Sequence, residues 1–323
     1  MSITILTYTI ASESSKNLAQ SFMYNDGVAA NRNSVASSVY RKLLNNTYPK
    51  PSRNTTFIKW GNVPLNSESF QNQENVLGLN MTNLSWCTNK RSFFEKVSGI
   101  VRTPTVFYSA WQALTYLTSM NPGNVDTPAP ILVERRTLSG TNGDGIVLCS
   151  KAEHISVTGK LWTVYVKKHS EYRCHIVRGP AGSPTMFWQQ KKLRKNVEED
   201  IPNRFQIRNW KNGWVYSTQN ITIPNKVREV ADRFYNAFMA DGNLDFIALD
   251  IIFNKQSNLA YLLEGNTAPG IEGSTAAFYS SAFTDLIFKH NWKQNTYKRK
   301  ETVSGQSYYA STLLDDTDDE DSL

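Results

Sequence analysis

The 323-residue sequence predicts an α+β fold built on a central antiparallel sheet. Three observations lead there. Residues 131–192 hold five β-rich runs, ILVERRTL, IVLCS, LWTVYVKK, EYRCHIV and TMFWQQKK, separated by turn residues. IPNKVREVADRFYNAFMA (223–240) has the spacing of an amphipathic helix, with Pro224 in its first turn. Two more apolar strands, 246–253 and 259–264, precede a Gly-rich turn and a helix from about Ser274 to His290.

The remaining elements follow in order. Residues 3–10 alternate as a strand, and a Ser/Asn-rich stretch after them reads as loop. A helix is expected over 34–45 and a strand over TTFIKW (55–60). These make residues 1–85 a small α/β lobe. Then come a helix at 90–98, a strand at 103–108 and a helix from Ser109 to Met120. NPGNVDTPAP (121–130) is a loop by its Pro, Gly and Asn content, and 193–213 is polar and irregular. The expected organisation is thus 1–85, 86–290 (divided near 160) and a flexible tail over 291–323.

Composition narrows the class. Hydrophobic content of 40% supports a sizeable core, and no apolar run is long enough to span a bilayer. MSITILTYTI lacks a basic segment before its apolar stretch, so it reads as a first strand. Three scattered cysteines in no C-x-x-C pair fit a reducing cytoplasm. His169, Cys174 and His175 lie close together, but no further ligand motif completes a metal site, and a structural role is expected. Net charge is +7, although residues 315–323 carry six acids and no base. The body is therefore basic and suits a polyanionic partner, ATP with an acidic substrate or nucleic acid, though no nucleic-acid motif is present. From charge alone, a solubilising surplus of Lys and Arg is the favoured explanation.

Two constellations carry chemistry. GTNGDG (140–145) lies between two strands, so it is the tip of a hairpin rather than a helix start. Gly140, Gly143 and Gly145 let backbone N–H groups approach an anion without Cβ interference, and Arg135 and Arg136 just upstream suit phosphate. Taken alone, an ordinary flexible hairpin accounts for the glycines. The second constellation is LDFIALDIIFNKQSNLAYLLEGNTAPG (244–270). Asp250 interrupts an apolar strand, where an unpaired carboxylate is costly. With NKQSN as the turn, Phe253 faces Leu259 and Asp250 faces Leu262. Asp250, Glu264 and Asn266 then share a face, the two acids as diagonal neighbours about 7–8 Å apart. Two carboxylates and an amide form a hard oxygen set that suits Mg2+ with phosphate.

At these residues the chain resembles the ATP-grasp superfamily, particularly the ligase-like ATP-grasp proteins of bacteriophages. The motifs run in the family's order from Trp60 to Phe283: IKWGN, TNK, RTLSGTNGDGI, YVKKHSEYRCHIV, QQKK, IRNWKNGW, LDFIALDII and LLEGNTAPG. The resemblance implies two α+β lobes that clasp ATP behind the N-terminal lobe. It implies Lys90 as a phosphate lysine and Arg136, with Arg135 as the alternative, as the cation before the glycine loop. Tyr165 and Val166 would be the adenine hinge and Glu171 a nucleotide-binding acid. Arg173, Lys191, Arg208 and Asn209 would surround the transferred phosphoryl group. Asp250, Glu264 and Asn266 would bind one or two Mg2+ ions. Gly265 stands where the family usually has valine; a side chain there should point away from the metal, so little effect is expected.

The family chemistry is carboxylate–amine ligation through an acyl phosphate, with small-molecule or peptide substrates and, for a phage protein, the host cytoplasm as its place. A kinase of a small polyanion is the alternative within the fold. A non-catalytic nucleotide-binding scaffold is the alternative outside enzymes, against which the complete metal trio argues. The acidic end, 315–323, suggests a tail that reaches an acceptor or partner site, or one that merely keeps the chain soluble.

Overall fold

The computed structural model describes residues 2–7, 12–34, 55–61, 78–80, 84–120, 131–139, 145–179, 183–194, 201, 203–241 and 244–291. The expected loop 121–130, the tail beyond 291 and all but the first residue of the expected helix 34–45 lie outside these residues.

Three sheets organise them. The first has the order β2-β1-β3-β4, from Ala29–Ser34, Ser2–Thr7, Thr55–Trp60 and Gly78–Leu79, with every pair parallel. Helix α1 (Glu13–Asp26) accompanies it. The Ser/Asn-rich stretch expected as loop is therefore largely this helix and β2. Polar content hid it, because the helix buries small hydroxyls as well as Leu18 and Phe22. Ser21 meets Ser280 at 3.0 Å, which lets another helix pack closely. Ser12 caps the start by accepting from Ser15 N–H, and Gly27, at φ +61°, closes the end.

The second sheet is antiparallel, in the order β5-β8-β6-β7 (Val106–Phe107, Leu161–Val164, Leu132–Arg135, Ile146–Cys149). Helix α4 (Ala110–Met120) packs on it through Ala113 and Leu117. The strand expected at 103–108 is only two residues long. The expected division near 160 falls just before β8, so the change of sheet comes after Val164.

The third sheet is antiparallel and five-stranded, β11-β10-β9-β12-β13 (Trp214–Ser217, Pro184–Leu193, Ser170–Arg178, Phe246–Asn254, Leu259–Asn266). Its β11 begins where the irregular stretch was expected to end. One face is apolar: Cys174, Ile247, Leu249, Ile251 and Leu262 pack with α2 (Ser85–Thr88), α3 (Lys90–Val97) and α5 (Asn225–Phe238). Val227, Val230, Ala231, Phe234 and Phe238 form the buried stripe of α5, and Pro224 is its N-cap rather than a first-turn residue. Helix α6 (Gly273–Asn291) packs on α1, and Phe278, Tyr279 and Phe283 join a core that contains Ile3, Ile5, Phe22, Trp60 and Phe246. Among the described residues, no helix is long and apolar enough to cross a membrane.

Candidate active site

Strand alternation sends the polar side chains of the five-stranded sheet to the face opposite α5. Gln189, Arg173, Asp250 and Glu264 are successive cross-strand partners, a polar line over four strands. Lys191 pairs with Tyr216 beside them.

The hairpin register corrects the expected one. Asn254 pairs with Leu259, so the turn is one residue shorter, and Phe253 faces Ala260 rather than Leu259. That shift alone would set Asp250 opposite Leu263 and send Glu264 to the other face. An irregularity between Asp250 and Ile251 leaves Leu263 without a counterpart and places Glu264 directly opposite Asp250. The two one-residue shifts restore the side-chain parity, so Asp250, Glu264 and Asn266 do share a face, with the acids as direct rather than diagonal neighbours.

Each acid is paired. Arg173 grips Asp250 with both arms, Nε to Oδ1 at 2.7 Å and Nη2 to Oδ2 at 2.8 Å. Lys90 reaches Glu264 at 2.7 Å. Lys90 is the first residue of α3 because Asn89 caps that helix, accepting from Arg91 and Ser92 N–H. Burial alone would raise the Glu264 carboxyl, but Lys90, Arg135 and Arg173 bring it down to about 2. Burial raises Asp250, and the neighbouring Glu264 adds to that against the fork of Arg173. Glu171 lies between Lys191, at 2.5 Å, and Lys168, at 3.4 Å. These cations outweigh its burial and lower it to about 2.

These groups line one cavity of about 1280 Å³, walled on the other side by the second sheet and the start of α3. On β6, Val133 and Arg135 face the cavity while Glu134 is fully buried behind them. Of the two candidate arginines the structure therefore brings in Arg135. Arg136 turns back to pair with Glu134 at 3.1 Å, its side chain 52% exposed. The strands that flank the glycine loop pair antiparallel: Leu132 pairs with Cys149, and Arg136 N–H donates to Gly145 O at 2.8 Å. Gly145 has φ +75°, and a Cβ there would sit 3.0 Å from Thr137 Oγ1. Gly140 and Gly143 lie outside the described residues, but Ser139 and Ile146 on either side of the loop line the cavity.

Tyr165 and Val166 also line it. The Tyr165 N–H donates to Ile131 O at 2.7 Å. Lys191 Nζ donates to Arg208 O at 2.7 Å, and Arg208 donates to Lys168 O at 2.7 Å while stacking 4.4 Å over Trp214. Asn209 lines the cavity and also shapes the turn, accepting Asn212 N–H on Oδ1 at 2.8 Å.

Two contributors escaped the sequence reading. Tyr216 presents its ring to Arg173 at 4.2 Å and to Lys191 at 5.0 Å, a place that only strand pairing creates. Lys168 was legible as a cation three residues before Glu171. His175, in contrast, is a core residue: Tyr279 Oη is 3.0 Å from Nδ1 and Gln189 Oε1 is 2.8 Å from Nε2. Burial, and then Arg173, push its pKa down to about 3. Cys174 points to the opposite, apolar face.

The donors fit a metal–nucleotide complex. Among the described residues no three His, Cys, Asp or Glu side chains cluster for a metal, so the candidate set is two carboxylates and the Asn266 amide. That set suits Mg2+ sharing its shell with phosphate. Arg135 Nε is buried with no hydrogen-bond partner among the described residues, an unsatisfied donor in the wall of the cavity.

No protein-family model matches the chain, and neither does any curated protein sequence. Solved structures do. D-alanine–D-alanine ligase from Bacillus anthracis superimposes with a TM-score of 0.57 at 14% identity, over 90% of this chain and 97% of that one. N5-carboxyaminoimidazole synthetase from Staphylococcus aureus gives 0.57 at 11% identity, over 88% and 76%. A RiPP-associated ATP-grasp ligase from Chryseobacterium gregarium, in complex with ADP and a leader and core peptide, gives 0.53 at 12%, over 88% and 96%. The chain has the ATP-grasp fold. Within it, the second and five-stranded sheets are the two walls that face each other across the cavity, and the polar face of the latter carries the charged line.

Proposed function

We propose that this ATP-grasp protein is an ATP- and Mg2+-dependent carboxylate–amine ligase. The observation that carries the reading is the single charged line across the sheet, where two adjacent carboxylates lie among Lys90, Arg135, Arg173 and Lys191 in one cavity. Asp250, Glu264 and Asn266 would hold Mg2+, which when bound neutralises phosphate charge. Lys90 and Arg135 grip the phosphates from the opposite wall. Tyr165 and Val166 frame the base, and Glu171 holds Lys191 in line.

In the proposed chemistry a substrate carboxylate oxygen attacks the γ-phosphorus of ATP, and the bond to ADP breaks. An amine then attacks the acyl carbon, phosphate leaves, and the amine loses a proton to solvent. Arg173, Lys191 and Arg208 hold the acyl-phosphate oxygens, a preorganised electrostatic role that needs no nucleophilic side chain. The 1–85, 86–290 and 291–323 organisation and a phage origin with action in the host cytoplasm belong to the same proposal.

The substrates are a small or peptide carboxylate and an amine. The peptide option has a counterpart in the Chryseobacterium neighbour, whose structure contains leader and core peptides. The test is phosphate release from ATP over panels of acids, peptides and amines, with product masses. Amine-dependent release with a condensed product supports ligation. A stable phosphorylated product formed without amine replaces it with a kinase. No acid-stimulated turnover overturns both.

A further inference from the structure

Each carboxylate of the candidate metal set is held by a cation of the candidate phosphate set. Asp250 takes both arms of Arg173, and Glu264 takes Lys90. The partners are shielded from water: the Arg173 and Asp250 side chains are 12% and 5% exposed, and Lys90 and Glu264 are 15% and 30%. Removing one member of a shielded pair leaves the other charge uncompensated, which costs far more than losing a surface ion pair.

Resting on the metal and nucleotide assignments above, we propose that metal and triphosphate enter this site by exchange of ion-pair partners, so that each is bound poorly without the other. A metal taken by Asp250 and Glu264 alone strands Arg173 and Lys90. A triphosphate taken by Arg173 and Lys90 alone strands two carboxylates on directly opposed positions of β12 and β13. With both ligands present every charge has a partner. The Tyr216 ring supports the exchange, since it faces Arg173 at 4.2 Å and Lys191 at 5.0 Å and gives both cations a partner other than a carboxylate. Linkage makes the coupling reciprocal, and couplings of this kind are typically about 5- to 150-fold.

The exchange predicts an unusual sign. Removing a phosphate-binding cation frees a metal ligand, so it should improve metal binding when no nucleotide is present. The experiment uses the full chain and Mn2+, with free Mn2+ counted by electron paramagnetic resonance in the absence of nucleotide. Lys90→Met and Arg173→Met are expected to bind Mn2+ about tenfold tighter than wild type, or more, and to bind ATP with Mg2+ about tenfold more weakly. Arg208→Met is the control. Its guanidinium is held by the Lys168 and His169 carbonyls rather than by a candidate metal ligand, so Mn2+ affinity should stay within about twofold. Folding is checked by circular dichroism, and Lys90→Met alone decides the question if Arg173→Met does not fold. Unchanged or weaker Mn2+ binding with normal wild-type binding of MgATP overturns the exchange only. Equal tightening in Arg208→Met also overturns it, because a general loss of positive field would then suffice. Failure of the wild-type protein to bind Mn2+ and MgATP in any combination overturns the site assignment and the exchange together.

Discussion

Gly265→Val, which restores the residue usual at this point of the ATP-grasp motif, should destabilise this protein without adding a side chain to the face that carries Glu264 and Asn266. Gly265 pairs with Leu249, so its missing side chain belongs to the apolar face, away from Glu264 and Asn266. A Cβ there would lie 2.6 Å from Ile247 Cδ1 and 2.9 Å from Phe93 Cε2, against an optimal carbon contact of about 3.5–4.0 Å. Ile247 can rotate its terminal methyl. Phe93 has less freedom, with the rings of Phe94, Trp86 and Phe234 at 5.9, 6.2 and 6.5 Å. Phe93 and Ile247 thus fill the volume that a valine side chain would need here. Overpacking costs about 1–3 kcal/mol, and better strand propensity with a less flexible unfolded chain returns up to about 1 kcal/mol. The net loss should be about 1–2 kcal/mol, which for a unit of this size lowers Tm by about 2–8 °C. Differential scanning calorimetry measures it, and titration calorimetry should find MgATP affinity within about threefold of wild type. Combining Gly265→Val with Ile247→Ala should cost less than the sum of the two changes, because the alanine clears the overlap. A neutral or stabilising Gly265→Val refutes the packing argument. Weakened MgATP binding at unchanged Tm refutes the orientation.

Three further outcomes are expected. Asp250→Asn should abolish ATP turnover and, by leaving the Arg173 charge half-paired, cost about 3 kcal/mol in urea unfolding; unchanged turnover would remove the enzymatic reading. Tyr216→Leu should weaken MgATP binding about tenfold through loss of two cation–ring contacts, whereas Tyr216→Phe should match wild type, since the hydroxyl is buried without a partner among the described residues; equal loss in both variants would count against the ring-face role. His175 has a folded pKa near 3, below its unfolded value of about 6.5, so the unfolded state binds the extra proton and stability falls as pH drops through that window. Between pH 7.5 and 5 the loss should be about 2 kcal/mol in urea titrations and should largely vanish in His175→Gln; a wild type with no slope would show the imidazole to be more basic than its burial implies.

Much of the fold was legible because its strands and α5 carry strong periodicity. Apolar positions of α5 recur on one face, and β9, β12 and β13 stand between turn residues. Helix α1 was not legible, since packing through Ser15, Ser21 and Ser280 replaces the apolar stripe that periodicity detects. The charged residues of the site were legible as residue types, because carboxylates inside apolar strands demand partners. Their partners were not. Arg135 and Arg136 are adjacent and chemically equal in sequence, and only the fold sends Arg135, the last residue of β6, to the cavity and Arg136 back to Glu134.

The sequence by itself determined the strand-rich α+β class, the hairpin carrying Asp250, Glu264 and Asn266, and the face that those three share. Parity along a strand is a local property, and it survives an error of two residues in register. Tertiary structure alone decided that Asp250 lies directly opposite Glu264, that Arg173 and Lys90 hold them, and that Tyr216 stands under two of the cations. These depend on a bulge at Leu263 and on contacts between residues far apart in the chain, which are set by closing the sheet rather than by any short stretch of residues.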